Sequence, residues 1–195
     1  MSQLGNTHVR GNLSVNGNKV RVGGRNGFDL NKKLDERTLG GLIKAISGAY
    51  VYSGLLDSTV RKIDPNGNEV WSFTGHTDRI QAVAVDADGY VYSGSRDDTV
   101  RKIDPNGNEV WSFTGHTDSV VGVAVDADGY VYSGARDDTV KKIDPNGNEV
   151  WSFTGHTHYV RGVAVDADGY VYSGSWDNTV KKIDPNGNEV WSFTG

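Results

Sequence analysis

Four short apolar runs recur in fixed order along most of this chain, each closed by a turn signal. In the copy that opens at Gly75, Val83 and Val85 alternate with Ala82 and Ala84. That run is small and apolar on both faces, as a buried inner strand requires. Asp86-Ala87-Asp88-Gly89 predicts a hairpin turn, because Asp-Gly tolerates positive φ. A second strand is expected from Tyr90 to Gly94, with Tyr90 and Tyr92 on one face. Arg96-Asp97-Asp98 then turns the chain into a third strand, Thr99 to Asp104. Pro105-Asn106-Gly107-Asn108 is the next turn, with Pro fixing φ and Gly supplying the left-handed residue. Glu109 to Thr114 forms an outer strand carrying Trp111 and Phe113.

Nearly the same text restarts at Gly115 and at Gly155. A period near forty residues with four short strands per unit predicts an all-β fold of β-propeller blades, each a four-stranded meander. An earlier copy lacks only a clear inner strand. Tyr50 to Gly54, Thr59 to Asp64 and Glu69 to Thr74 match the second, third and outer strands. Leu42 to Ile46 is assigned as the missing strand, with Ile43 and Ala45 in the places of Val83 and Val85. Four blades are therefore expected, at 37–74, 75–114, 115–154 and 155–195. They follow a leader, 1–36, read as a hairpin and linker for attachment or oligomerisation. Its hairpin has Leu13 and Val15 alternating, an Asn16-Gly17 turn, then Val20 and Val22.

Composition narrows the function classes. With no cysteine, disulfides, thiolate metal sites and cysteine nucleophiles are excluded. No apolar run is long enough to span a membrane, and no signal peptide is read at the start. The net charge of −5 is uneven: residues 1–47 carry +5 and residues 48–195 carry −10. An acidic repeat region argues against nucleic acid as a partner.

The repeats resemble the WD-repeat family. Gly75-His76 matches its Gly-His pair, and Ser93-Gly94-Ser95 with Asp97-x-Thr99-Val100 matches its second strand and turn. The family's Trp-Asp is here Ile103-Asp104, so the Trp is lost. The resemblance implies a buried hydrogen-bond network with His76, Ser93 and Asp97 as three parts, and His116, His156, Asp137 and Asp177 in the same structural role. The outer half is similar to the pyrroloquinoline-quinone-type propeller repeat, through Val-Tyr-x-Gly-Ser, Ile-Asp-x-x-Gly and Val-Trp-Ser-Phe. That likeness implies packing of Trp71, Trp111, Trp151 and Trp191 between neighbouring blades. In the leader, Asn12-Leu13-Ser14-Val15-Asn16-Gly17-Asn18-Lys19-Val20 and Leu34-Asp35-Glu36-Arg37-Thr38-Leu39-Gly40-Gly41 resemble segments of bacteriophage tail-fibre proteins.

The copies differ at clustered positions. Asp78, Asp118 and His158 correspond, as do Arg79, Ser119 and Tyr159, and then Gln81, Val121 and Arg161. In the turn after the second strand the variable sets are Leu55/Ser95/Ala135/Ser175, Leu56/Arg96/Arg136/Trp176 and Ser58/Asp98/Asp138/Asn178. In a meander these connections share one end of the blade, and the constant turns share the other. One propeller face is thus expected to be a diversified binding surface, rich in the Arg, Tyr and Trp that dominate interface hot spots. Drift after duplication is the alternative, but it would strike the constant, exposed turns as well.

No catalytic residue, cofactor or metal site is assigned. Asp86-x-Asp88-Gly89 has too few oxygens for a calcium loop. His156 and His158 lack a third zinc ligand. No phosphate loop or triad spacing occurs. The expected function is non-enzymatic: a phage or prophage tail appendage recognising a host-surface glycan or protein, placed on the virion or extracellularly. The alternatives are a cytoplasmic WD-repeat-like scaffold binding peptides or proteins, and an amplified or engineered propeller without a ligand. Four blades leave ring closure open. A dimer completing an eight-bladed ring is preferred to a closed four-bladed monomer or a leader-driven trimer.

Overall fold

A computed structural model describes residues 13–15, 18–20, 43–47 and 50–195, with side chains from Tyr50 onward. The leader contributes β1 (Leu13–Val15) and β2 (Asn18–Val20), an antiparallel pair with Leu13 opposite Val20. The 36/37 boundary and most of the fibre-like segment lie outside the described residues.

The rest is four four-stranded antiparallel sheets in simple meander order. Blade one holds β3 (Ile43–Ser47), β4 (Tyr50–Gly54), β5 (Val60–Ile63) and β6 (Glu69–Phe73). Blade two holds β7 (Ile80–Val85), β8 (Val91–Ser95), β9 (Val100–Ile103) and β10 (Glu109–Phe113). Blade three holds β11 (Val120–Val125), β12 (Val131–Ala135), β13 (Val140–Ile143) and β14 (Glu149–Phe153). Blade four holds β15 (Val160–Val165), β16 (Val171–Ser175), β17 (Thr179–Ile183) and β18 (Glu189–Thr194). The inner strands β3, β7, β11 and β15 lie side by side in chain order.

One register differs from the sequence expectation. Ile43 opposes Ser53, as Val83 opposes Ser93, but Ile46 rather than Ala45 takes the place of Val85, opposite Val51. An irregularity between Ile43 and Ile46 absorbs one extra residue. The alignment by spacing alone assumed unbroken pairing, so it missed the slip.

The core lies between sheets, not within them. Tyr52, Val60 and Phe73 of blade one pack on Ile80, Val83, Val91 and Ile103 of blade two. Tyr92, Val100 and Phe113 meet Val120, Val123, Val131 and Ile143 of blade three. Tyr132, Val140 and Phe153 meet Val160, Val171 and Ile183 of blade four. Burying each such aromatic or aliphatic side chain stabilises the array by about 1.5–3 kcal/mol.

A polar catch accompanies each of these cores. The Trp71 indole Nε1–H donates to the Pro105 carbonyl at 3.0 Å, and Trp111 and Trp151 do the same to Pro145 and Pro185 at 3.0 Å. Lys62 Nζ donates to that Pro105 oxygen at 3.2 Å while lying 4.5 Å from the centre of the Tyr50 ring. Three of the four tryptophans assigned to blade packing are thus placed between blades. Trp191 has no such carbonyl among the described residues and is 42% exposed.

Candidate functional site

The network built on the Gly-His position repeats in three blades. His76 Nδ1 is 2.8 Å from Asp97 Oδ2, and Nε2 is 2.8 Å from Ser93 Oγ. The second and third full copies place His116 with Asp137 and Ser133, and His156 with Asp177 and Ser173, at 2.7–2.8 Å. Thr99 Oγ1 donates to Asp97 Oδ1 at 2.6 Å and lies 3.2 Å from His76 Nδ1. The threonine is thus a fourth member of the network, at its Asp97 end. Ile103 is instead fully buried in the apolar core. Blade one differs: Asp57 pairs with Arg61 at 2.8 Å, in solvent.

Burial pushes these aspartates up, but hydrogen bonds from histidine, threonine and backbone N–H groups outweigh it. Asp97 and Asp177 are held below the usual carboxylate range, and Asp137 falls to about 2. A depressed folded-state value means stability that is fully present above the unfolded value, near 4, and lost as pH falls through the folded one. The melting temperature is therefore expected to fall between pH 4 and pH 2 in a calorimetric series. The Asp137→Asn variant should show a shallower fall. For Asp137 the contribution is roughly 1–2 kcal/mol after solvent screening. The histidine rings of these groups are fully buried, as a structural scaffold requires.

The variable connections meet at one end of blades two, three and four. Arg96 N–H donates to Arg79 O at 2.9 Å, Arg136 N–H to Ser119 O at 2.9 Å, and Trp176 N–H to Tyr159 O at 3.0 Å. Each bond ties the turn after a second strand to the link that enters the same blade. Several variable positions answer to backbone demands. Ser58, Asp98, Asp138 and Asn178 hold φ of 64–67°, left-handed backbone that Asp and Asn tolerate well. Ser95 is fully buried and its hydroxyl donates to Asp78 O, while Ser119 is also buried. Asp78 and Asp118 accept the next residue's N–H at 2.7 and 2.6 Å; His158 Nδ1 does the same for Tyr159 at 2.8 Å. Gln81, Val121 and Arg161 each sit at a register shift in an inner strand, where a bulge re-aims the side chain. Leu55 and Leu56 lie half-buried in the blade-one turn, and Arg79 and Arg96 project into solvent at blade two.

At blades three and four the variable side chains converge. The Tyr159 and Trp176 ring centres are 5.5 Å apart. His158 meets both edge-on, at 4.5 and 5.7 Å. The Arg136 guanidinium reaches across from blade three to within 5.7 Å of the Tyr159 ring centre, and Arg161 lies 5.0 Å from that of Trp176. Among the described residues the arginine ion pairs are Arg61 with Asp57 and Glu69, and Arg101 with Glu109. Arg136 Nε is buried without a partner among the described residues. Trp176 is 54% exposed. Two rings flanked by two guanidiniums present flat apolar faces beside spare charged donors, which suits ring-bearing or anionic ligands.

The opposite end is constant. Asp86 accepts from Asp88 N–H and Tyr90 N–H through Oδ1, and from the Tyr92 hydroxyl through Oδ2 at 2.9 Å. These oxygens hold the turn. Among the described residues no group of three His, Cys, Asp or Glu is placed to hold a metal ion.

Comparisons agree with this repeat geometry. A family model described as outer membrane protein assembly factor BamB matches residues 56–160, more than half of the chain. The chain belongs to the BamB family. A model described as WD domain, G-beta repeat, also matches residues 147–184, from the end of one copy into the next. The two matches overlap over residues 147–160. No curated protein matches the chain. Among solved structures, the chain is similar to the WD40 β-propeller domain of Doa1, with a TM-score of 0.70 and 23% identity. The likeness covers 77% of this chain and 52% of that one, so the chain spans about half of that propeller's length.

Proposed function

We propose that this protein is a non-enzymatic recognition module, a phage or prophage tail appendage that engages a host-surface glycan or protein through the variable face. The observation that carries this reading is the convergence of Arg136, His158, Tyr159, Arg161 and Trp176, all at positions where the copies differ, into one partly exposed cluster. The fibre-like leader sequence supplies the attachment role. A second reading, a protein-binding scaffold, is supported by the matches to the BamB and WD-repeat families.

The labelled protein is expected to bind discrete features on a glycan array or a parallel peptide array. The fourfold variant Arg136→Ala, Tyr159→Ala, Arg161→Ala, Trp176→Ala is expected to lose that binding, at least 100-fold, because two aromatic and two arginine anchors are removed. Its far-UV spectrum should be unchanged. Binding retained by the variant overturns the assignment of the site. Signal on the peptide array alone replaces the glycan with a peptide partner.

A further inference from the structure

Blade four presents a face that every other blade buries. Phe73, Phe113 and Phe153 are 7–8% exposed, whereas Phe193 is 62% exposed. Val60, Val100 and Val140 are fully buried, whereas Val180 is 41% exposed. A Cβ at Gly54, Gly94 or Gly134 would strike the next blade's inner strand; at Gly174 it meets no atom within 4 Å. A shallow depression of about 570 Å³ runs over this face, lined by Gly174, Val180 and Phe193 among others.

The fold itself states what fits there. In three interfaces the cover is the leading edge of a blade: an inner strand and an Asp-Pro-Asn-Gly turn whose proline carbonyl receives an indole N–H. Blade one carries the same edge. Asp64 accepts from Asn66 and Asn68 N–H at 2.8 Å, as Asp104 does from Asn106 and Asn108, so the Pro65 turn has the same shape. Among the described residues, Pro65 O receives no indole and Trp191 Nε1 reaches no carbonyl. Among the described residues, donor and acceptor are thus left over at the two ends of the series of blades. The blades also follow one another as in a WD40 propeller, matching 52% of that chain's length.

We infer that a second copy covers this face, with Trp191 of each chain donating to Pro65 O of the other, so that two chains close a ring of eight blades. The two contacts are equivalent under one two-fold axis, and closure leaves no edge for further growth. Arg161 and Trp176 of the recognition cluster line the same depression, whereas Gly174, Trp191 and Phe193 lie outside that cluster, so variants at these three test the association separately from recognition.

Sedimentation equilibrium of the full chain is expected to give twice the chain mass. Trp191→Ala with Phe193→Ser is expected to weaken association by roughly 100-fold, as loss of a buried aromatic anchor does, and to leave a monomer at micromolar concentration. Gly174→Val provides a second test that cannot act through the chain's own described packing. It too should give a monomer, with an unchanged far-UV spectrum. A monomeric parent protein overturns the inference. So does an oligomer that persists in both variants, which would place the contact elsewhere, or growth beyond two copies, which would exclude closure.

Discussion

Replacing Asp137 by alanine lowers the melting temperature by roughly 6–12 °C. The substitution removes the acceptor for His116 Nδ1–H, for the Thr139 hydroxyl and for the Thr117 and Thr139 N–H groups. The Asp137 side chain is 7% exposed and that of His116 is 0% exposed, so water does not replace what is lost. Leaving buried partners of a charged group unmet costs on the order of 3 kcal/mol, and in an array of this size each kcal/mol shifts the midpoint by about 2–4 °C. Asp57→Ala is the control. Asp57 is 51% exposed and pairs with Arg61 at the surface, so its loss costs about 1 kcal/mol or less. Calorimetry of the two variants side by side checks the contrast; equal shifts would mean that the buried network adds nothing.

Gly134→Val opens the interface between blades three and four. The new Cβ would lie 2.6 Å from Val160 Cγ1 and 2.9 Å from Val163 Cγ1, and both valines belong to a packed inner strand. Overpacking of this kind costs about 1–3 kcal/mol, and two further methyl groups take the expected loss to the upper end. Thermal melts should show a drop of roughly 6 °C or more that does not vary with protein concentration. A Cβ at Gly174 meets nothing within 4 Å among the described residues. There the same change is expected to spare the fold of the single chain and to act on self-association alone.

The blades were legible because each is written almost three times over. Alternating Val and Ala at 82–85, Asp-Gly at 88–89 and Pro-Asn-Gly at 105–107 set strand, hairpin and turn in the order found. Blade one was harder, since a bulge at Ile43–Ile46 is invisible to a reading that counts spacing. The site was legible in part. Variation among copies pointed to one end of the blades, and the connections carrying it do meet there. It could not separate side chains left free at that end from those held by conformation. Asp98 and Asn178 need left-handed backbone, and Ser95 caps a neighbouring carbonyl; nothing in a string of letters marks either. Thr99 was overlooked as a network member because threonine is common in strands, although its identity in every copy was the available signal.

Nearly identical interfaces have a consequence for assembly of the native state. Among the described residues the main contacts between blades join neighbours in sequence, so the array behaves as a one-dimensional chain of coupled units, and folding can start at any adjacent pair and spread outward. The Trp111–Pro145 and Trp151–Pro185 catches are interchangeable. A slip by one whole unit, or an exchange of blades between nascent molecules, therefore satisfies nearly every local contact. What distinguishes correct from slipped pairing is confined to the few letters that vary, so ordered synthesis from the first blade onward guards against entanglement better than any single contact does.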